Sequence, residues 1–194
     1  RSFQNCEAAV RKILSKKAIP FVIGGDHAIT TPILRAFDCF HNLCVIHFDA
    51  HLDFSKNPHG IAEGPGSPMR RASEMAHISK IMQIGIPGMG SSQLSDFQDA
   101  EAYGNIIITS REVRQKGVEW VAGRIPQAEY YYISFDIDGL DPSIAIGTGS
   151  PVPFGLLYEE ASAIIEAIAQ RGCIVGMDMV EISPPCDHQN MTSM

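Results

Sequence analysis

Along nearly its whole length the chain alternates short continuous apolar runs with segments whose apolar residues fall at helical spacing. The apolar runs read as strands at 19–23, 43–49, 81–86, 105–109, 130–136 and 173–180. Between them, helices are expected from Ser2 to Lys17, from Thr30 to Phe37, and at about 67–76, 91–103, 111–123 and 157–171. A strand apolar on both faces has to be covered on both, and helices with one apolar stripe supply that cover. The alternation therefore predicts an α/β domain built on a parallel sheet. With 194 residues, 45% of them hydrophobic, the chain can fill the core of one domain spanning 1–194. No repeat or linker divides it, and the longest irregular stretches are 54–66 and 139–156. Long loops in such a fold usually serve function.

Composition narrows the function classes. A net charge of −7 with scattered lysines and arginines provides no basic stripe, so nucleic acid is not an expected partner. The five cysteines are odd in number and contain no CxxC, which reads as free thiols in a reducing compartment. No apolar run approaches the ~20 residues needed to span a bilayer, and no signal peptide is visible. The expectation is a soluble, cytoplasmic protein with no membrane partner.

In an open α/β sheet, ligands bind outside the carboxyl ends of the strands. The first strand ends in Gly24-Gly25-Asp26-His27, the second in Asp49, His51 and Asp53, a later one in Asp136 and Asp138, and the last in Glu181. Singly, each has a plain structural reading as a cap, a turn or a satisfied histidine. In Asp49-Ala50-His51-Leu52-Asp53, however, three such groups recur at period two, and an extended segment would project all three to one side. Four carboxylates gathered in one crevice need a cation, and no lysine or arginine lies within these motifs. Two divalent ions would balance them. Four Asp and two His without a thiolate favour a metal such as Mn²⁺, and a pair of ions about 3.5–4 Å apart would hold a hydroxide at neutral pH. The reaction class is then metal-assisted hydrolysis.

Three segments resemble the signatures of the ureohydrolase family, the arginases and agmatinases. They are Ile23-Gly-Gly-Asp-His-Ala-Ile-Thr-Thr-Pro32, Val45-Ile-His-Phe-Asp-Ala-His-Leu-Asp53 and Ser134-Phe-Asp-Ile-Asp-Gly-Leu-Asp-Pro142. Residues 176–185 also resemble the family's last core strand, and the wording of 64–75 and 148–155 is similar to agmatinase and related enzymes for linear guanidino compounds. The resemblance implies a three-layer α/β/α fold with a mostly parallel sheet, assembled as a homo-oligomer, a trimer or hexamer. It implies two Mn²⁺, one held by His27, Asp49, Asp53 and Asp136 and the other by His51, Asp49, Asp136 and Asp138, with Asp49 and Asp136 bridging. It further implies Asp53 and Glu181 as catalytic residues, with Glu181 also binding the guanidinium group. The substrate would be a small guanidino compound, agmatine first, cleaved to urea and an amine, putrescine. Family members are longer, so the chain is expected to be a partial domain lacking a first strand before Arg1 and a final helix after Met194.

Two departures bear on activity. The family carries a histidine in a Gly-His-Gly loop, where this chain has Gly64-Pro65-Gly66, and proline cannot relay a proton. His59, in the same loop, is a candidate substitute. Ile146 stands where the family has a proline before Gly147. A member that binds metal without turnover is therefore an alternative, as are arginase and guanidino-acid hydrolase activities. A more distant alternative rests on Tyr132–Gly139, which also resembles the first motif of haloacid-dehalogenase phosphatases.

Overall fold

A computed structural model describes residues 2–57, 60–88, 90 and 92–194. Six strands, β1 (Phe21–Ile23), β2 (Leu43–Phe48), β3 (Ile78–Ile84), β4 (Ile106–Ile108), β5 (Tyr130–Asp136) and β6 (Cys173–Val180), form one sheet in the order β1-β6-β5-β2-β3-β4. Every pairing is parallel. The helices are α1 (Ser2–Leu14), α2 (Thr30–Arg35), α3 (Pro68–Ser73), α4 (Leu94–Tyr103), α5 (Ser110–Lys116), α6 (Val118–Ala122) and α7 (Tyr158–Arg171).

The two-sided strands sort their side chains as the apolar runs require. In β2, Leu43 and Val45 pack with Val10 of α1, Ile33 and Leu34 of α2, Met69 of α3 and Ala100 of α4. Cys44, Ile46 and Phe48 point the other way, toward Val113 of α5, Val121 of α6 and Ile164 and Ile168 of α7. Helices on both faces of the sheet make three layers around two buried cores. The chain steps outward from β2 through β3 to β4, then returns to place β5 on the opposite flank of β2. That reversal opens a crevice between the carboxyl ends of β2 and β5, where such folds take ligands.

Several expected elements differ in detail. β1 is shorter than 19–23 and is not buried: Phe21 and Ile23 are 56% and 67% exposed, and among the described residues β1 is an edge strand paired with β6 alone. The strand expected at 81–86 begins earlier, at Ile78. The helix expected at 111–123 is two helices, broken at Gly117, whose φ of 82° and ψ of 167° side chains disfavour. A capping box fixes the start of α5: Glu112 N–H donates to Thr109 Oγ1, and the Glu112 carboxylate accepts from Thr109 N–H, both at 3.1 Å. All five cysteines are free, and among the described residues no helix is long and apolar enough to cross a membrane.

Candidate metal centre

β2 ends at Phe48, so Asp49 to Asp53 lie beyond the strand, not in the extended segment expected from period two. The chain bends at Ala50 and His51, and Asp53 takes a left-handed φ of 49°. The alternation nevertheless survives the bend. Ala50 and Leu52 are buried on one side, while Asp49, His51 and Asp53 converge on the other. Two hydrogen bonds hold the turn: His51 N–H donates to Asp49 Oδ1 at 2.5 Å, and Ala50 N–H donates to Asp138 Oδ1 at 3.2 Å. Gly139 lets the loop after β5 press against it, since a Cβ there would lie 2.8 Å from the Asp49 nitrogen.

The expected residues come together in two overlapping groups. His27 Nδ1 lies 3.2 Å from Asp49 Oδ2, 3.0 Å from Asp53 Oδ2 and 3.1 Å from Asp136 Oδ2. His51 Nδ1 lies 3.3 Å from Asp49 Oδ1 and 3.0 Å from Asp138 Oδ2. Asp49 thus shows one oxygen to each group. Asp136 turns only Oδ2 to a histidine, His27, while its Oδ1 accepts the Asp138 N–H at 2.9 Å. His27, Asp49, Asp136 and Asp138 are buried, whereas the His51 side chain is 17% exposed and faces the opening.

Crowded acids and imidazoles share protons wherever no ion separates them. Burial, then the charge of Asp49, raises Asp136 well above the carboxylate range and also raises Asp53. The same two causes push Asp138 up to about 6. Asp49 goes the other way: burial opposes ionisation, but His47, His27 and His51 together hold it well below its usual value. Asp138 and Asp49 push His51 up to about 11, and three carboxylates overcome burial to raise His27. Positive charge at the centre of these oxygens is what the arrangement demands.

The donor set also fits a metal ion in its directions. His27 Nδ1 and Asp49 Oδ2 are buried and have no hydrogen-bond partner among the described residues. Behind His27, Asp178 of β6 accepts from Tyr132 Oη at 2.6 Å, Thr30 Oγ1 at 3.0 Å and Ser134 Oγ at 3.0 Å. With its proton directed to Asp178, Ser134 Oγ accepts from His27 Nε2, 3.0 Å away. Nδ1 is then the nitrogen free to coordinate, the arrangement usual for a ligating imidazole braced from behind. Thr30, Tyr132, Ser134 and Asp178 were not among the residues singled out from sequence. Their signal was polarity inside elements expected to be buried.

Glu181 leaves the end of β6 with a φ of 62°, and its Oε1 accepts the His27 N–H at 2.8 Å. Its carboxylate therefore stands beside the His27 group. Pro65 is exposed in the turn before α3, and His59 lies outside the described residues.

The arginase family profile matches residues 1–194. The chain belongs to the arginase family. Among curated relatives, it is 35% identical to a guanidinobutyrase from Pseudomonas aeruginosa, over 94% of this chain and 59% of that protein. It is likewise 35% identical to a mitochondrial agmatinase from Gallus gallus, over 100% of this chain and 58% of the relative. Among solved structures, the proclavaminate amidino hydrolase of Streptomyces clavuligerus superposes with a TM-score of 0.88 at 34% identity, covering 98% of this chain and 65% of that one. This arginase-family chain thus spans about 59% of the guanidinobutyrase's length. The match takes in 23–27 and 45–53 together with 134–142, and the phosphatase reading accounts only for the last.

Proposed function

We propose that this chain carries the metal centre of a dinuclear manganese amidinohydrolase, which cleaves a linear guanidino compound to urea and an amine. The observation that carries the reading is Asp49, whose two oxygens face two separate donor sets, one headed by His27 Nδ1 and one by His51 Nδ1. Asp53 and Asp136 complete the first set and Asp138 the second. Bound there, two Mn²⁺ would supply a nucleophilic hydroxide at neutral pH. The protein's own residues do the rest. Glu181, fixed by the His27 N–H, offers its carboxylate to a planar guanidinium, a pairing that can be bidentate and so orients the carbon to be attacked. His27, Asp49 and Asp136 are buried, which places most of the first donor set out of contact with bulk water.

The names guanidinobutyrase and agmatinase among the relatives support linear guanidino compounds as the substrate class, agmatine and guanidino acids alike. The experiment is urea release from agmatine, guanidinobutyrate, guanidinopropionate and arginine by Mn²⁺-loaded protein, with metal content measured on the same sample. Urea from one of these supports the proposal; its absence from all four sinks the catalytic claim. Gly64-Pro65-Gly66 favours a second reading, a metal-binding member without turnover. Two equivalents of metal with no urea would establish that reading, and Pro65→His would then be expected to raise activity, because general acid–base help is worth about 10²–10⁴-fold.

A further inference from the structure

A third imidazole sits against the centre. His47, fully buried in β2, has its ring centroid 5.0 Å from that of His27 and its Nε2 2.8 Å from Asp49 Oδ2. It is close enough to His27, Asp49 and Asp53 to join an ion as a ligand. Which role it takes depends on which nitrogen bears the proton, and residues on the neighbouring strand decide that.

Gln83 of β3 is buried beside His47. Its Nε2 is 2.6 Å from the Leu52 carbonyl and 3.0 Å from His47 Nδ1. A carbonyl can only accept, so the Gln83 atom facing Leu52 has to be the nitrogen. Asn105 is consistent with that orientation, its Nδ2 donating to Gln83 Oε1 at 2.7 Å. The second amide proton of Gln83 is left for His47, so Nδ1 of His47 accepts. With Nδ1 accepting, the ring's proton lies on Nε2, toward Asp49, which leaves no lone pair there for a metal.

We infer that His47 is a positioning residue rather than a ligand: Gln83, oriented by the Leu52 carbonyl, sets it as an Nε2–H donor beside Asp49. His27 and His47 are the same tautomer, protonated on Nε2, but turn different nitrogens to the carboxylates: His27 its bare Nδ1, braced by Ser134, and His47 its Nε2–H, set by Gln83. His47 Nε2 lies 2.8 Å from Asp49 Oδ2 without hydrogen-bond alignment, and the inference requires the carboxylate to rotate to accept its proton. The donor holds Asp49 turned so that its two oxygens stay shared between the two sets. This role rests on the proposed metal centre, but the tautomer can be read without metal.

The test combines a spectrum with a titration. Long-range ¹H–¹⁵N correlation of the imidazoles is recorded on metal-free protein and on protein loaded with Zn²⁺ as a diamagnetic ion, with His47 assigned from the spectrum of His47→Asn. Expected is a pyridine-type Nδ1 and a protonated Nε2 in both states. A proton on Nδ1, or loss of the Nε2 proton on loading, overturns the inference. The titration compares Mn²⁺ affinity of wild type and Gln83→Glu by calorimetry. A carboxylate at 83 draws the proton to Nδ1. For a ligand, this would strengthen binding as in carboxylate–histidine–metal triads; for a positioning donor it weakens binding, expected at about tenfold or more. Equal or tighter binding overturns the inference. Should Gln83→Glu fail to fold, the spectra of the unsubstituted protein decide. Wild type that binds no Mn²⁺ would sink the metal centre itself, whatever the metal-free spectrum shows.

Discussion

Because Asp49 turns Oδ2 to His27 and Oδ1 to His51, a single substitution there acts on both donor sets at once. Asp49→Asn is expected to cut bound Mn²⁺ from two equivalents to one or none, read by metal analysis after desalting; full retention of both would count against a shared carboxylate. Ser134→Ala acts indirectly. It leaves His27 Nε2 and Asp178 each short of a partner in a buried site, and such outer contacts are worth about 10–100-fold in metal affinity. Calorimetric titration measures that loss. The pH dependence has a defined sign. Metal-free, His27 is raised above its usual value and His51 stands at about 11, so both hold protons at neutral pH that an ion must displace. Raising the pH removes this competition, so Mn²⁺ affinity should climb between about pH 6 and 8 with proton release on binding; a flat profile would contradict the proton-filled site. The gathering of His27, Asp49, His51, Asp53, Asp136 and Asp138 was legible because carboxylates and imidazoles at strand ends are costly when left uncompensated. Ser134, Asp178 and Gln83 were not, because a polar residue inside a strand shows its partner only when the neighbouring strand is known.

At the scale of elements, periodicity located β5, β6 and α7 within a residue or so, since long apolar runs and a 14-residue amphipathic helix carry strong signals. It merged α5 and α6, because the apolar pattern continues across Gly117 while the backbone does not. Gly117→Ala should therefore cost about 1–3 kcal/mol of stability, as its φ and ψ lie in a region nearly confined to glycine. Urea unfolding of the metal-free protein checks this, and metal content should stay unchanged because Gly117 lies outside both donor sets. The bend after β2 was also beyond periodicity: Asp49, His51 and Asp53 converge through an Asx-type turn and a left-handed Asp53, which tertiary contacts with Asp138 and Gly139 stabilise.

For the whole molecule, the class and the parallel sheet followed from the alternation, but strand order did not, because nothing local says that β5 returns past β3 and β4 to flank β2. Nor did the exposure of β1, where Phe21 and Ile23 lie on the sheet's edge strand and exposed Ile19 just precedes it. Open apolar edges invite pairing with other chains. Ile19→Lys combined with Phe21→Lys should lower concentration-dependent light scattering of this chain; unchanged scattering would show that the edge is not the contact.

The reversal that sets β5 beside β2 also governs when the centre can exist. Phe48 and Phe135 pair in register, so Asp49 and Asp136 meet only after a long stretch of intervening chain has been organised. Distant parallel pairings of this kind form slowly, since the entropy of closing the loop is lost before any contact rewards it. Ion capture by the proposed centre would then be a late event in folding. Its rate, followed in stopped flow, would time the closing of the sheet, and an ion supplied early would gain no head start over one supplied after collapse.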